Sequence, residues 1–300
     1  MHDELFSRNG LSLDRLRTFA EIVAAGGPTR AAKGDSTRQS QYSRQLKELE
    51  EFFGTELYAR HGGKWILTAP GSSLQRLINE HLGALAELRT RCAGAPVALR
   101  IGAGESFLQW RLIPQLAKLR RELPDVRFVL LNRRSEDVAA GLVSGELEFG
   151  VLPADETPAS LKSVALQPIE YRLFVPHALH VDTDRDTPAR LLSLPLVLLE
   201  GGGATQEMLS AEAVRHGLKL NVVIECSSHL QAANIVRQGL AAAVLPTEAS
   251  AVFAAPEVET HILPCLRKAS RRVVLTWNAH VIRARPALAE ATRALVDALK

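Results

Sequence analysis

The spacing of apolar positions changes along this chain and divides it into three stretches. From residue 12 to 26, Leu13, Leu16, Phe19, Ala20 and Val23 recur three and four apart, which predicts a helix with one buried face, and Gly26-Gly27 ends it. Pro28 suits the first position of a second, short helix, where its missing N–H would have been unpaired anyway. Ala31 and Ala32 are small enough for another helix to cross closely. Gly34-Asp35 breaks that helix. Ser36, with Gln39 three residues on, has the form of a capping box and opens a third helix to about Glu51, with Tyr42, Leu46 and Leu49 on its apolar stripe. Two short strands then flank Gly62-Gly63, so the first stretch reads as a helix–turn–helix with a wing.

The second stretch, residues 72–92, reads as one long helix. Leu74, Ile78, His81, Leu85 and Leu88 step by four and three, a heptad-like seam widened by Leu77 and Leu82. So wide an apolar face between two domains calls for a partner: its own domain is one, but that unit already has core residues of its own, so the same helix of a second chain is the partner expected. Gly94-Ala95-Pro96 reads as a hinge. From Val97 onward strands alternate with helices: strands 97–103, 126–131 and 147–152 with helices about 107–122 and 135–144, then strands 171–176, 195–199, 221–226 and 241–245 with helices about 187–193, 205–216 and 229–238. Strand 272–277 and helix 286–299 are expected to return to the first unit. The pattern is that of parallel α/β sheets.

The third helix carries the clearest chemistry. Arg38, Gln39, Gln41, Ser43, Arg44 and Gln45 lie off its apolar stripe or at its edge. Arg and Gln make paired hydrogen bonds to guanine and adenine edges, and Ser suits phosphate. Residues 29–47 hold five basic side chains, Arg30, Lys33, Arg38, Arg44 and Lys47, against one acid, Asp35, a local net of +4. A solvated helix in a bundle would show similar charge; the helix–turn–helix spacing favours DNA. His61 and Lys64 at the wing tip would touch the DNA backbone or minor groove, although polar turn residues would look the same.

Leu16, Phe19 and Val23, then Thr29-Arg30-Ala31-Ala32, Ser43-Arg44-Gln45-Leu46, Leu49-Glu50, Phe53-Gly54, Leu57, Arg60, Leu67-Thr68 and Gly71 resemble the N-terminal domain of LysR-type transcriptional regulators in unbroken register. Residues 98–152, and Gln238-Gly239-Leu240 through Leu245-Pro246, resemble parts of that family's ligand-binding domain. The resemblance implies a winged helix–turn–helix over 12–71, a linker dimerisation helix over 72–92 and an effector domain over 97–300. Within it, lobe I takes about 97–167 plus 267–300 and lobe II about 168–266. The fold class expected is therefore α/β with an N-terminal winged helix–turn–helix and a two-lobed, periplasmic-binding-protein-like effector domain. The implied partners are double-stranded DNA, a small-molecule effector, the chain itself as homodimer or homotetramer, and RNA polymerase. Asp35 and Thr37 stand where the family has apolar residues, Ser40-Gln41 where Pro-Ala is common, and Arg38 where Ser is frequent. These departures bear on turn geometry and base preference.

In α/β sheets of this kind ligands sit beyond the carboxyl ends of strands, where helix N-termini offer free amides. The loops there deliver Ser106, Asn132, Arg133, Gly202, Thr205 and Ser228 as candidate effector contacts, with Ser106, Thr205 and Ser228 also expected as helix caps. Arg133 would suit a carboxylate; Glu105 and Glu200 point to a polar or cationic ligand, which leaves the chemistry open.

Composition narrows the rest. The net charge is only +3 over 300 residues, so DNA contact must come from a local patch. Cys92, Cys226 and Cys265 form no even framework, and reduced thiols in a cytoplasmic protein are expected; thiol sensing is a minor alternative. The segment MHDELFSRNG lacks the apolar run of a signal peptide, and no stretch reaches the ~20 apolar residues of a membrane span. No enzyme motif survives inspection: the dinucleotide fingerprint fails at Phe107, and neither G-x-S-x-G nor a P-loop Lys occurs. His177 and His180 have metal-like spacing but no third ligand. No metal or cofactor is expected. The competing reading is a stand-alone solute-binding protein whose N-terminal extension only dimerises.

Overall fold

The computed structural model describes residues 5, 10–62, 64–179, 187–253 and 257–300, with the backbone alone at 64, 284 and 286. Gly63, His180 and the Lys64 side chain therefore lie outside it. The N-terminal unit is α1 (Leu13–Ala25), α2 (Pro28–Ala31), α3 (Ser36–Phe53), β1 (Tyr58–His61) and β2 (Lys64–Leu67), leading into α4 (Ala69–Cys92). Gly26 ends α1 in the left-handed region, and Pro28 opens α2 as its missing N–H allows. Phe19, Ile22, Ala32, Tyr42, Leu46, Leu49, Leu57 and Tyr58 form one core, closed from the wing side by Trp65 stacked on Tyr58 at 5.6 Å. A side chain at Gly27 (φ 130) would lie 2.5 Å from the Trp65 ring, so the turn between α1 and α2 admits glycine alone.

Asp35, rather than Ser36, caps α3: its carboxylate accepts the Arg38 N–H at 3.0 Å. Gly34 turns the chain at φ 89, which makes Asp35 the last extended residue and leaves Ser36 already helical. Thr68 caps α4 by accepting the Gly71 N–H at 3.1 Å, so α4 begins three residues earlier than its apolar pattern. Its seam divides. Leu74 and Ile78 are buried in the core of the N-terminal unit, with Leu82 packed beside them. Leu77, Leu85 and Leu88 are 51%, 53% and 56% exposed. The seam expected to pair throughout with a second chain thus gives its first two positions to its own domain.

The rest of the chain builds two five-stranded sheets. The first has the order β4-β3-β5-β12-β6, from β3 (Val97–Ala103), β4 (Val126–Asn132), β5 (Phe149–Pro153), β6 (Lys162–Ala165) and β12 (Val273–Trp277). The second has the order β11-β7-β10-β8-β9, from β7 (Tyr171–Pro176), β8 (Pro195–Leu199), β9 (Asn221–Cys226), β10 (Ala242–Pro246) and β11 (Val258–His261). Both sheets are mixed rather than all parallel: β12 runs antiparallel to β5 and β6, and β7 antiparallel to β10 and β11. The reversals occur at the strands that follow the two crossings between sheets. Helices α5 (105–122), α6 (Ser135–Ser144), α10 (Ala279–Ala284) and α11 (Pro286–Leu299) belong to the first lobe. The second holds α7 (Pro188–Ser193), α8 (Ala204–Arg215) and α9 (His229–Arg237).

Segment α5 is irregular. An α turn (Glu105–Phe107) passes into a π stretch (Leu108–Leu112), a 3-10 turn holding Pro114, and an α-helix (Leu116–Glu122). Pro114 has no N–H to return to the carbonyl four residues back, so the helix widens before it. The π stretch sends Trp110 and Arg111 into the other lobe. Trp110 is buried among Phe174, Val197 and Leu245 of the second sheet and Ala232 of α9. Arg111 pairs with Glu248 and donates to the Pro168 carbonyl at 2.6 Å and to that of Gln167. Both lobes are pinned together along this edge.

Candidate nucleic-acid interface and ligand cavity

Arg30, Arg38, Gln39, Gln41, Ser43, Arg44, Lys47 and His61 are all exposed. The 100° step of a helix places Gln39, Ser43 and Lys47 in one row and Thr37, Gln41 and Arg44 in the next. Arg38, Gln39 and Arg44 are all exposed but stand on different rows of α3. Gln39 donates to the Thr29 hydroxyl at 3.5 Å, which ties the first turn of α3 to α2. Arg44 lies 3.7 Å from Glu48, whose other oxygen takes the Arg15 Nε at 2.6 Å. Lys47 lies 3.7 Å from Glu51. Arg30 and Arg38 have no ion-pair partner among the described residues, so their charge is available to phosphate or to a base edge. On the buried side, the Tyr42 hydroxyl donates to Glu21 at 2.7 Å. That bond, helped by burial, raises the phenol pKa and locks α3 on α1.

The effector candidates separate. Gly202 and Thr205 line a cavity of about 390 Å³ with Tyr171, Gln206, Met208, His229, Lys268, Ser270 and Arg271. It lies where α8 and α9 start and where the second crossing between lobes runs past. Asn132 and Arg133 are elsewhere, around a shallow opening with Gly104 and Ser135, and Arg133 is bound to Glu146 at 2.7 Å. Ser106, in the first turn of α5, packs near α9 but does not line the cavity. Two expected caps, Ser106 and Thr205, are each displaced by two residues: Gly104 caps α5 and Gly203 caps α8, both without a side-chain hydrogen bond. Ser228 does cap α9, accepting the Gln231 N–H at 3.3 Å. The run Gly201–Gly203 has φ values of 81, 72 and 130, a left-handed turn that delivers the uncapped start of α8 to the cavity.

His229 stands in a loop that the end of strand 221–226 marks, but Tyr171, Ser270 and Arg271 were not legible as site residues. These three sit on or beside the crossings, which carry no motif. The Tyr171 and His229 rings lie 6.2 Å apart. Burial, with Arg271 adding to it, pushes the His229 imidazole down to about 4, so it meets a ligand at neutral pH uncharged. Burial raises the Tyr171 phenol against the opposing pull of Arg271. The cavity lining then holds two cations, Lys268 and Arg271, and no carboxylate. Burial also pushes the Cys226 and Cys265 thiols up, away from the thiolate form that redox chemistry uses, and all three cysteines are free. No group of metal-ligating side chains occurs among the described residues. No helix among them is long and apolar enough to cross a membrane.

A winged helix–turn–helix joined by a long helix to a two-lobed sensing domain defines a one-component DNA-binding regulator. The comparisons with known proteins agree over the whole architecture. Residues 13–72 match the bacterial regulatory helix-turn-helix protein, lysR family, and residues 95–300 match the LysR substrate binding domain. The chain belongs to the LysR family of transcriptional regulators. It is 27% identical over 300 residues to the regulator CbbR of Xanthobacter flavus, covering 96% of this chain and 87% of that one. A full-length OxyR variant from Pseudomonas aeruginosa has the same fold, with a TM-score of 0.64 at 21% identity over 97% of this chain and 95% of that one. Full-length CbnR in complex with its target DNA gives 0.54 at 18% identity over 96% of this chain and 100% of that one. The solute-binding alternative falls, since the N-terminal unit is itself a regulatory helix–turn–helix.

Proposed function

We propose that this regulator binds promoter DNA as a cytoplasmic homo-oligomer, has no enzymatic activity, and senses a small anion in the cavity at the start of α8. The observation that carries the ligand class is the charge of the cavity lining: Lys268 and Arg271, the latter held only loosely by Glu156 at 4.0 Å outside the lining, and no carboxylate within it, with His229 neutral and the first-turn amides of α8 uncapped. Helix N-termini and Arg both favour carboxylate or phosphate oxygens. Tyr171, Met208 and Leu209 supply an apolar wall for the ligand's body. Of the contacts expected from the sequence, Gly202 and Thr205 keep a direct role. Ser228 acts as a cap, and Ser106, Asn132 and Arg133 lie outside the cavity. For DNA, Arg30, Arg38, Gln39, Gln41 and Ser43 form the reading surface, with Arg44, Lys47 and His61 at its margins.

The test is a thermal-shift screen of small carboxylates and phosphates against amines of equal size, with hits measured by calorimetry. Anions should raise the midpoint and amines should not. Arg271→Ala should weaken the best anion by roughly ten-fold, the effect of losing one charged hydrogen bond. Stabilisation by amines alone, or an anion indifferent to Arg271→Ala, would move the site elsewhere.

A further inference from the structure

One buried charge cluster shares no residue with the reading surface or with the cavity lining. Arg285, 7% exposed, sits between α10 and α11. Its Nε is 2.6 Å from Glu87 Oε2 and its Nη1 2.5 Å from Glu148 Oε1. Glu148 also accepts the Arg100 backbone N–H at 2.7 Å. Glu87 and Glu148 are 5% and 1% exposed. Arg285, Glu148 and Arg100 all belong to the first lobe. Glu87 alone comes from α4, near its C-terminal end. One turn after the buried Leu74, Asn79 of the same helix donates to the Ser144 carbonyl of α6.

Such a cluster is a poor source of stability. Dehydrating the charges consumes most of their attraction, and apolar side chains of similar volume would hold the helix at least as well. What the cluster imposes is one geometry, because a carboxylate moved off Arg285 here is left buried and unpaired. The balance is also fine: Glu87 Oε1 has no hydrogen-bond partner among the described residues, so the docked state leaves part of its cost unanswered. Between α4 and β3 lie only residues 93–96, and the Ala95 N–H is itself bound to the Thr90 carbonyl at 3.0 Å.

We infer that Glu87 and Arg285 form a releasable clasp that fixes the linker helix on the first lobe, so that helix and lobe turn as one body. Opening of the clasp, rather than bending at Gly94-Ala95-Pro96, then sets the angle between effector domain and reading head. Glu87 is a positioning residue for the DNA-binding unit. The regulatory consequence rests on the proposed function; the clasp itself does not.

Hydrogen exchange on the full chain, without ligand or DNA, tests it. Glu87→Ala leaves Arg285 paired with Glu148, so the lobe keeps its fold. Amides of residues 84–92 should exchange roughly ten-fold faster, the loss of one charged hydrogen bond from the docked state. Those of residues 69–78 and of β3, β5 and β12 should be unchanged. Ala is the better helix former, so faster exchange reports undocking and not a weaker helix. Glu87→Gln, which keeps an acceptor for Arg285, should fall between. Unchanged exchange at 84–92 would overturn the clasp. So would equal acceleration in β3, β5 and β12, which would make Glu87 an ordinary part of the lobe's core. Neither result depends on finding the operator or the effector.

Discussion

Gly71→Ala should abolish most DNA binding while the effector domain keeps its stability. A single added carbon at Gly71 would lie 1.9 Å from the Leu57 carbonyl oxygen and 2.9 Å from the Leu67 side chain. The first is backbone, fixed by its place just before β1, and cannot turn aside as a side chain could. Thr68 anchors this point from both ends, capping α4 through the Gly71 N–H and donating to the Glu56 carbonyl at 2.7 Å. Relief requires α4 to lift from the wing, which opens the core at Leu57 and Leu74. Overpacking of this kind costs about 1–3 kcal/mol or more, and a unit of this size has little stability in reserve. Calorimetry should show an early transition for the reading head with the main transition unmoved, and DNA affinity should fall at least roughly ten-fold. Full affinity with a single unshifted transition would contradict the packing described for α4.

Leu85→Glu with Leu88→Glu should convert the protein to a monomer. Both side chains are more than half exposed, on the side of α4 opposite the buried Glu87, and they continue the line of Leu77 and His81. Burying a leucine is worth roughly 1.5–3 kcal/mol, and a symmetric pair of helices buries each position twice. Two glutamates facing two more should therefore raise the dimer dissociation constant by roughly a hundred-fold or more. Ile78 is unsuited to this test, since it is 3% exposed in the core of the reading head and its loss would unfold that unit instead. Sedimentation of the double variant gives the answer; an unchanged dimer would place the oligomer contact elsewhere.

The elements that were legible are those whose neighbours do not alter them. Strands Val97–Ala103, Tyr171–Pro176, Pro195–Leu199 and Asn221–Cys226 fall where their apolar runs and turn residues put them. Short polar strands escaped: Lys162–Ala165 and Val258–His261 lie at sheet edges, where one side of the backbone is left unpaired and no residue is fully buried. Caps were misplaced by one or two residues at Asp35, Gly104 and Gly203, since glycine or aspartate beside serine or threonine gives two local solutions and only the backbone chooses. The heptad step of Leu74, Ile78, Leu85 and Leu88 says which positions share a stripe, not what covers them. Its first half meets the reading head. Pairings at long range left no trace in the sequence: Glu87 with Arg285 is separated by 198 residues, and Arg111 with Glu248 by 137. The same holds for the cavity, whose cations stand on a crossing segment between lobes. The recognition helix was legible because its chemistry and its fold lie in one contiguous run of residues.

The most direct measurement is a gel-shift and footprint of the full chain on DNA upstream of its own gene, at moderate salt with excess random-sequence competitor. The account predicts a discrete protected site that survives the competitor. Arg38→Ala should weaken that complex by roughly ten-fold or more, the cost of one lost base contact. Binding that random DNA removes as readily as the native sequence, or a protected site indifferent to Arg38→Ala, would contradict the placement of α3 as the reading helix.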